Sequence, residues 1–342
     1  MTTVNWPIVI VVFLMYNLFN MTKEDLRIVY MGTPEFAVES LKRLVEGGYN
    51  VVGVVTMPDK PMGRHQDVLS ESAVKKYAVE KGLKVMQPVK LKDEAFVEEL
   101  RSLKVDLQIV VAFRMLPEVV WSMPRFGTFN AHASLLPHYR GAAPINWAVI
   151  NGDTETGMTT FFLKHEIDTG DVIQQVKIPI ADDDNVEVVH DKLMALSGDL
   201  VLETVDNIIA GTVKSIPQSE MCDCTELRPA PKIFKETCMI DWNKTTKQVY
   251  DFVRGLSPYP AAWTTLVAPD GKELVMKLFA TEKLIGEGGT VGSVRTDGKK
   301  SFDIALNDGY LRIKELQIAG KKRMDVESFL RGFKLSNEFK VR

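Results

Sequence analysis

The chain has 342 residues, which is enough for a sizeable hydrophobic core and for about two domains. With 45% hydrophobic and 25% charged residues and a net charge of −3, its composition is that of an ordinary soluble globular protein. Its cysteines, Cys222, Cys224 and Cys238, are too few and too clustered for a disulfide framework, so they predict a reducing compartment, the cytoplasm. Because they offer at most three thiolates and no histidine lies nearby, we predict no metal site.

The net charge hides an asymmetry along the chain. From Cys224 onward there are 21 basic and 15 acidic residues, a net charge of +6, and the residues before it carry −9. A basic last third on an acidic body favours an interaction with a polyanion. On charge alone, a solvated surface without a nucleic-acid role remains the alternative.

The first 20 residues do not resemble a targeting signal. Their apolar run, residues 5–20, is too short to cross a bilayer as a helix and has no Lys or Arg ahead of it. Met21 follows at once and opens a polar segment that leads into a strand. We therefore expect residues 1–20 to be a non-native or disordered extension, and we expect no association with a membrane.

Apolar strands alternate with helical patterns over the first two thirds of the chain. This alternation predicts an α/β fold with a mostly parallel sheet and helices on both faces. The predicted strands are 26–31, 50–56, 83–86, 106–112, 127–132, 157–163 and 172–178, and the predicted helices are about 37–45, 72–81, 93–103 and 186–209.

The pattern changes from Thr212 to Lys232, where the chain is irregular and contains three prolines, which predicts a linker. A short helix is predicted at 246–256. Short strands with glycine-rich turns come after it and indicate a small β-barrel, for which the five-stranded oligonucleotide-binding (OB-like) type is a candidate. These strands are predicted at 274–280, 290–296, 302–306 and 311–319.

Polar side chains gather where one predicted strand ends. Asn130 and His132 lie two residues apart in the strand 127–132, so both point to the same side. Ligands of open α/β sheets bind beyond the carboxyl ends of the strands. The loop 167–171, after the next strand, can bring Asp168 alongside the imidazole. We interpret the other four histidines as ordinary structural or surface residues, because a lone histidine is seldom catalytic.

This set of side chains suits acyl transfer to an amine. The Asn130 amide would stabilise the oxygen of a tetrahedral intermediate, and the loss of one such donor costs about 3 kcal/mol. His132 would add a second donor when protonated, with Asp168 holding it in place. No nucleophilic residue is needed because the amine attacks, and neither Ser134 nor the cysteines have a paired base at a recognisable spacing.

A stiff apolar turn follows the strand and consists of Ser134, Leu135, Leu136 and Pro137. Its free backbone groups suit a flat, partly polar ligand. We predict that this turn, residues 134–137, forms part of a small-molecule site.

Several motifs occur together in one order. The chain contains YMGTPEFAV, MPDKPMGR, FNAHASLLPHYRGAAPINWAVINGDTETG, EIDTGDVI, LRPAPKIFKE and GLSPYPAAW. In this combination it closely resembles the methionyl-tRNA formyltransferases, over nearly everything after Met21. The Asn-x-His-x-Ser-Leu-Leu-Pro core is shared by the folate-dependent formyltransferases of this fold, whereas residues 140–145 and the C-terminal domain indicate the tRNA enzymes.

The resemblance implies transfer of a formyl group from 10-formyltetrahydrofolate, the formyl-donor cosubstrate, to the α-amino group of methionine on initiator tRNA. Asn130, His132 and Asp168 become the catalytic set, and the turn 134–137 becomes part of the folate site. We expect a Rossmann-like, formyltransferase-type catalytic domain at 21–211, a linker at 212–232 and an OB-like tRNA-binding domain at 233–342. We expect the protein to act as a monomer.

The resemblance also implies tRNA contacts. The family's C-terminal barrel helps to hold tRNA, in agreement with the net charge of +6. Arg64 and the cluster Lys321-Lys322-Arg323 are candidates, since Lys and Arg on phosphates supply affinity without reading sequence. For the cluster, a solvated turn is the alternative.

One segment departs from the family pattern. In residues 63–75 the expected lysine pair is replaced, and Asp67 and Glu71 add negative charge beside an expected polyanion, although Arg64 is kept. We expect catalysis to be intact and tRNA affinity to be weakened or differently distributed.

Three other functions are weighed against this one. A dehydrogenase is excluded because MGTPEF has one glycine where a dinucleotide-binding turn needs three. A formyltransferase that acts on a small amine, an amino sugar nucleotide or glycinamide ribonucleotide, is the main rival, and the basic C-terminal domain argues against it. A non-catalytic RNA-binding module is disfavoured because all three predicted catalytic residues are present.

Overall fold

The structure, a computed structural model, describes residues 21–62, 68–221 and 226–342. The extension 1–20, Arg64, Asp67, Cys222 and Cys224, on which several of the predictions fall, lie outside the described residues. The chain forms two compact units. Unit 1 comprises the described residues up to Arg140 together with Gly157–Lys177 and Asp191–Leu227, and unit 2 comprises Gly141–Thr156, Ile178–His190 and Arg228–Arg342.

The elements are numbered in chain order. The α-helices of the described residues are α1 (Val38–Glu46), α2 (Ala73–Glu80), α3 (Glu94–Ser102), α4 (Glu118–Trp121), α5 (Pro144–Ile150), α6 (Val186–Ile209), α7 (Thr246–Leu256) and α8 (Val326–Gly332). The first eleven strands are β1 (Ile28–Gly32), β2 (Val51–Val55), β3 (Lys60–Met62), β4 (Val68–Ser70), β5 (Val85–Met86), β6 (Leu107–Val111), β7 (Thr128–His132), β8 (Arg140–Gly141), β9 (Glu155–Phe162), β10 (Val172–Pro179) and β11 (Pro229–Ala230). The others are β12 (Ala262–Val267), β13 (Glu273–Ile285), β14 (Val294–Thr296), β15 (Phe302–Leu306), β16 (Gly309–Ile318), β17 (Met324–Asp325) and β18 (Lys340–Val341).

The main sheet has seven strands in the order β10-β9-β7-β6-β1-β2-β5. The pairs β1–β2, β1–β6, β2–β5 and β6–β7 are parallel, and β9 joins β7 in the antiparallel direction. The prediction of a mostly parallel sheet is therefore confirmed. Because β1, β6 and β7 run the same way, their carboxyl ends meet at one edge, where open α/β sheets bind ligands.

Helices cover both faces of this sheet. Along β1 successive side chains alternate between the faces, as the strand period requires. Val29 and Met31 share a buried cluster with Phe96 of α3 on one face. Tyr30 points to the other face and is fully buried, and its hydroxyl lies 2.7 Å from the Ser40 hydroxyl of α1. The predicted arrangement of helices on both faces is thus confirmed.

Unit 2 contains a second seven-stranded sheet, with the order β14-β15-β16-β13-β12-β18 and β17 paired to β16. Its two outer strands approach each other, because Ser293 forms a bridge with Lys340 and the Val341 amide donates to the Gly292 carbonyl at 2.8 Å. The sheet therefore nearly closes on itself, which confirms the predicted small barrel. Helix α7 begins with a capping box at Thr245 and contributes buried apolar residues to the barrel's core.

The structure differs from the expected elements in a few places. Elements that were not predicted are helices α4, α5 and α8 and strands β3, β4, β8, β11, β12, β17 and β18. Strand β13 continues five residues beyond the expected Ala280, and β14 begins four residues after the expected Thr290. Within the predicted linker, Ile216 forms an antiparallel bridge with Val172 at the start of β10. No described helix is long and apolar enough to cross a membrane.

Candidate active site

Strand β7 carries Asn130 and His132 to the ligand-binding edge of the sheet. Asn130 is opposite Val110 of β6 and Phe161 of β9, and His132 is the last residue of the strand. His132 is 7% exposed, whereas Asn130 is partly exposed. The side-chain amide of Asn130 forms no hydrogen bond with any described residue, so this amide is available to a ligand.

The two ring nitrogens of His132 have different surroundings. Nε2 lies 2.9 Å from the backbone carbonyl oxygen of Tyr139. A carbonyl can only accept, so Nε2 carries a proton and donates it. Nδ1 is consequently unprotonated in the neutral ring, and it lies 4.0 Å from Oδ2 of Asp168. That distance is too long for a hydrogen bond but short enough for strong attraction when the ring is charged.

Asp168 lies in a tightly constrained loop. Its backbone has a φ of +55°, in the left-handed region that non-glycine residues seldom adopt. Two residues later, a side chain at Gly170 would place its Cβ 1.5 Å from the carbonyl oxygen of Phe162, so only glycine fits there. The structure thus brings Asp168 and His132 together, as the sequence predicted. The catalytic roles of the two residues stay predictions.

The turn 134–137 follows β7, but its side chains face largely inward. Ser134, Leu136 and Pro137 are buried, and only Leu135 is partly exposed. The predicted folate contacts of this turn therefore fall mainly on its backbone and on Leu135.

Hydrogen bonds hold this turn in one conformation. The Ser134 hydroxyl donates to the His138 carbonyl at 2.9 Å, and the Thr159 hydroxyl donates to the Ser134 carbonyl at 2.6 Å. The Gln175 amide donates to the Leu136 carbonyl at 2.7 Å. A rigid turn presents its remaining backbone groups without an ordering cost, which favours ligand binding.

Sequence reasoning missed one polar group at this edge. Thr33 follows β1, and its buried hydroxyl has no hydrogen-bond partner among the described residues. Buried polar groups are normally paired, so an orphan at a ligand-binding edge indicates a group that a ligand satisfies. The only signal in the sequence was its place in the turn after the first strand.

The predicted cluster at 321–323 is not uniform. All three residues are exposed and lie between β16 and β17. Arg323 forms an ion pair with Glu315 and covers the ring of Phe279, with 4.5 Å from its guanidinium carbon to the ring centre. The side chains of Lys321 and Lys322 form no ion pair with any described residue.

Part of the altered segment 63–75 is described. Lys75 lies 2.5 Å from the Asp59 carboxylate and 2.8 Å from that of Glu71, and these hydrogen bonds raise the pKa of Lys75. Because one lysine is shared by two carboxylates, the group keeps a net negative charge and Glu71 is only partly balanced. Its repulsion of a polyanion stays a prediction, and Asp67 lies outside the described residues.

In the part of the chain that the structure describes, no three His, Cys, Asp or Glu side chains are grouped as metal ligands. Cys238 is buried there, and burial raises the pKa of its thiol.

Comparison with known proteins identifies both parts of the chain. Residues 26–205 match the formyl transferase family, and residues 232–334 match the formyl transferase C-terminal domain. The methionyl-tRNA formyltransferase of Parabacteroides distasonis is 68% identical over 323 residues, which cover 94% of this chain and 100% of that relative. The one from Phocaeicola vulgatus is 70% identical over 323 residues, with the same coverage of both chains.

A solved structure has the same fold. HypX from Aquifex aeolicus, in complex with tetrahydrofolic acid, superposes with a TM-score of 0.57 at 22% identity, over 89% of this chain and 46% of that longer chain. At this identity the likeness concerns the fold. The family matches and the full-length relatives carry the assignment: the chain belongs to the methionyl-tRNA formyltransferase family.

Proposed function

We propose that this protein transfers the formyl group of 10-formyltetrahydrofolate to the α-amino group of methionine on tRNA. Two full-length relatives at 68% and 70% identity bear the name of that activity. The structural observation that carries the proposal is the Asn130 side-chain amide at the sheet edge, which pairs with no described residue. It lies two residues from a buried His132 whose Nδ1 is 4.0 Å from Asp168.

Each of these three groups has a part in the reaction. The amine attacks the formyl carbon, and the carbonyl electron pair moves onto oxygen, where the Asn130 N–H donates to the developing charge. Because Nε2 of His132 is held by Tyr139, Nδ1 is the nitrogen that acts. In the neutral ring it accepts the proton that the attacking amine loses. The charged ring, which Asp168 stabilises, then donates this Nδ1–H to the oxyanion as the second donor expected from the sequence. The carbonyl re-forms and the bond from the formyl carbon to the donor nitrogen breaks, as that nitrogen takes up the proton that Nδ1 of His132 had accepted.

The sheet edge fits a folate donor. A pterin is flat and carries several hydrogen-bonding groups, and the edge offers a rigid turn at 134–137 and the orphan hydroxyl of Thr33. In HypX a tetrahydrofolic acid is bound to a protein of the same fold. We place the donor at this edge, with its formyl carbon beside Asn130.

The barrel of unit 2 supplies a surface for tRNA. Strands β15 and β16 are antiparallel with Leu306 opposite Gly309, so the start of β15 and the end of β16 lie at the same end of the barrel. Exposed lysines occupy the turns at that end: Lys299, Lys300, Lys321 and Lys322. This set, the barrel-end lysines, is suited to phosphate contacts.

The finer points are also part of the proposal. Preference for initiator tRNA, a monomeric state, action in the cytoplasm and a contribution of Arg64 to tRNA binding follow from the family resemblance and from the reducing environment that the cysteines indicate.

The test is a formylation assay with protein started at Met21 and 10-formyltetrahydrofolate. The acceptors are charged initiator methionyl-tRNA, charged elongator methionyl-tRNA, free methionine, an amino sugar nucleotide and glycinamide ribonucleotide. We expect formyl transfer only to charged tRNA, and faster to the initiator. Transfer to a small amine at a comparable kcat/KM would instead establish the rival function.

A further inference from the structure

Gln218 lies in the predicted linker, yet its side chain reaches the loop that carries Asp168. The backbone bridge between Ile216 and Val172 has both hydrogen bonds, each 2.8 Å long. In an antiparallel register, the residue two positions after Ile216 lies opposite the residue two positions before Val172. Gln218 is therefore placed beside Gly170 by backbone pairing, and its side chain is 4% exposed.

The Gln218 amide uses both of its donor protons on this loop. Nε2 donates to the carbonyl oxygen of Asp168 and to that of Gly170, each at 2.8 Å. These two hydrogen bonds hold the backbone on both sides of the carboxylate loop, including Asp168 itself, whose φ is +55° in the left-handed region. A conformation of that kind persists only when its surroundings hold it.

The other end of the amide is also fully engaged. Oε1 accepts from Nε of Arg140 at 3.0 Å and from one terminal nitrogen of the same guanidinium at 2.7 Å. This bidentate contact fixes which end of the amide faces the loop, because a guanidinium only donates and a carbonyl only accepts. The orientation of Gln218 therefore follows from its partners.

We propose that Gln218 is a positioning residue, which holds the Asp168 carboxylate at its working distance from His132. The inference rests on the proposed function, in which Asp168 stabilises the charged ring. Gln218 touches no reacting atom and acts only through the backbone of the loop. Its removal takes away the two hydrogen bonds that hold the Asp168 and Gly170 carbonyls and frees the left-handed Asp168 to relax, which moves the carboxylate.

The principal variant is Gln218→Met, which has a similar volume and no amide. A misplacement of about 1 Å costs on the order of a hundredfold in rate, so we expect kcat to fall about tenfold to a hundredfold. KM for 10-formyltetrahydrofolate and for methionyl-tRNA should stay within about threefold, because the change affects the transition state. Gln218→Glu keeps an acceptor for Arg140 and loses both donors, so kcat should fall to a similar extent.

A matched control is Gln108→Met. Gln108 is another buried glutamine of unit 1, and it lies near the amino end of β6, where its Oε1 accepts from the Thr128 hydroxyl at 3.0 Å. The same substitution there should alter the melting temperature without altering kcat. Circular dichroism of each variant confirms that it is folded.

A double-mutant cycle separates positioning from general stabilisation. Once Asp168→Ala has removed the carboxylate, adding Gln218→Met should lower kcat by no more than about twofold, because residues that act as one unit are non-additive. A full additional loss in the Asp168→Ala background, or parental kcat in folded Gln218→Met and Gln218→Glu, overturns the inference. If Asp168→Ala alone has parental activity, the role proposed for Asp168 fails, and the role of Gln218 fails with it.

Discussion

At the scale of single residues, the arrangement around His132 assigns different tasks to its two nitrogens. Nε2 is committed to the Tyr139 carbonyl at 2.9 Å, so Nδ1 alone remains for proton transfer. Its nearest acidic neighbour, Oδ2 of Asp168, is 4.0 Å away. At that distance the carboxylate acts on the ring mainly through its charge and contributes little through a direct hydrogen bond.

This assignment predicts that the charge of Asp168 matters more than its shape. Asp168→Asn keeps the volume and removes the charge, and we expect kcat to fall about a hundredfold, as is typical when an acid–base group loses its support. Asp168→Ala should have a comparable effect. The measurement is single-turnover formyl transfer at saturating methionyl-tRNA.

Asp171 supplies the control for this prediction. It lies in the same loop, and its carboxylate pairs with Lys164 at 2.6 Å on the surface. Asp171→Asn should leave kcat within about threefold, since exposed ion pairs contribute little. An Asp168→Asn variant with parental kcat would show that the carboxylate is dispensable.

At the scale of elements, long periodic segments were predictable and contacts between distant segments were not. The bounds of α6 and α7 agree with those expected from the apolar spacing, and β15 agrees as well. Helix α5, which begins at Pro144, was missed because no element was assigned between the predicted strands 127–132 and 157–163. Strand β12 was missed because it begins two residues after Pro260, in a segment with two prolines, which are turn signals.

The candidate site divides in the same way. Asn130 and His132 were predictable because a strand's period of two fixes their common side. Gln218 was not, because its partners lie 48 and 50 residues earlier and are reached only through the pairing of Ile216 with Val172. Nothing in the local sequence around Gln218 indicates that pairing.

One turn of the barrel has an electrostatic role that is open to a pH test. Asp297, between β14 and β15, accepts from the backbone amides of Lys300, Ser301 and Lys299 at 2.8, 2.9 and 2.9 Å. These three hydrogen bonds lower the pKa of the Asp297 carboxyl far below its ordinary value of 3.8. The charged carboxylate thus stabilises the folded state above pH 3.8, and that contribution is lost as the pH falls through the folded-state pKa.

We therefore expect the variant Asp297→Asn to be less stable than the parent by an amount that depends on pH. It should have a lower melting temperature than the parent near pH 7. The difference should shrink as the pH falls below 3.8, because Asp297 then takes up a proton in the unfolded parent while it stays charged in the folded parent, which favours unfolding. Thermal unfolding followed by circular dichroism between pH 2.5 and pH 7 measures this difference in melting temperature. A difference that is constant over this range would mean that the carboxylate's charge does not stabilise the turn.

At the scale of the whole molecule, local charge matters more than net charge. The chain as a whole carries −3, which by itself would weakly repel a polyanion. At about 0.1 M salt, however, the Debye length is about 10 Å, so a phosphate backbone experiences the surface that it touches and little of the rest. The net charge of +6 from Cys224 onward is therefore more relevant than the total, and the barrel-end lysines are an exposed part of it.

The barrel-end lysines predict a specific salt dependence of tRNA binding. Each lysine that contacts a phosphate contributes about one unit to the slope of log K against log salt. Lys321→Ala with Lys322→Ala should therefore weaken binding and reduce the slope by about two units. Arg323→Ala should change the slope less, because Glu315 already balances its charge.

The control removes the same charge from unit 1. Lys84 and Lys104 precede β5 and β6 at the amino edge of the sheet, on the side opposite the candidate site. Lys84→Ala with Lys104→Ala lowers the net charge equally, so an effect of net charge alone would appear in both double variants. The measurement is filter binding of charged tRNA from about 50 to 200 mM salt, the range over which phosphate contacts dominate. Equal slopes for the two double variants would place the tRNA elsewhere than at this end of the barrel.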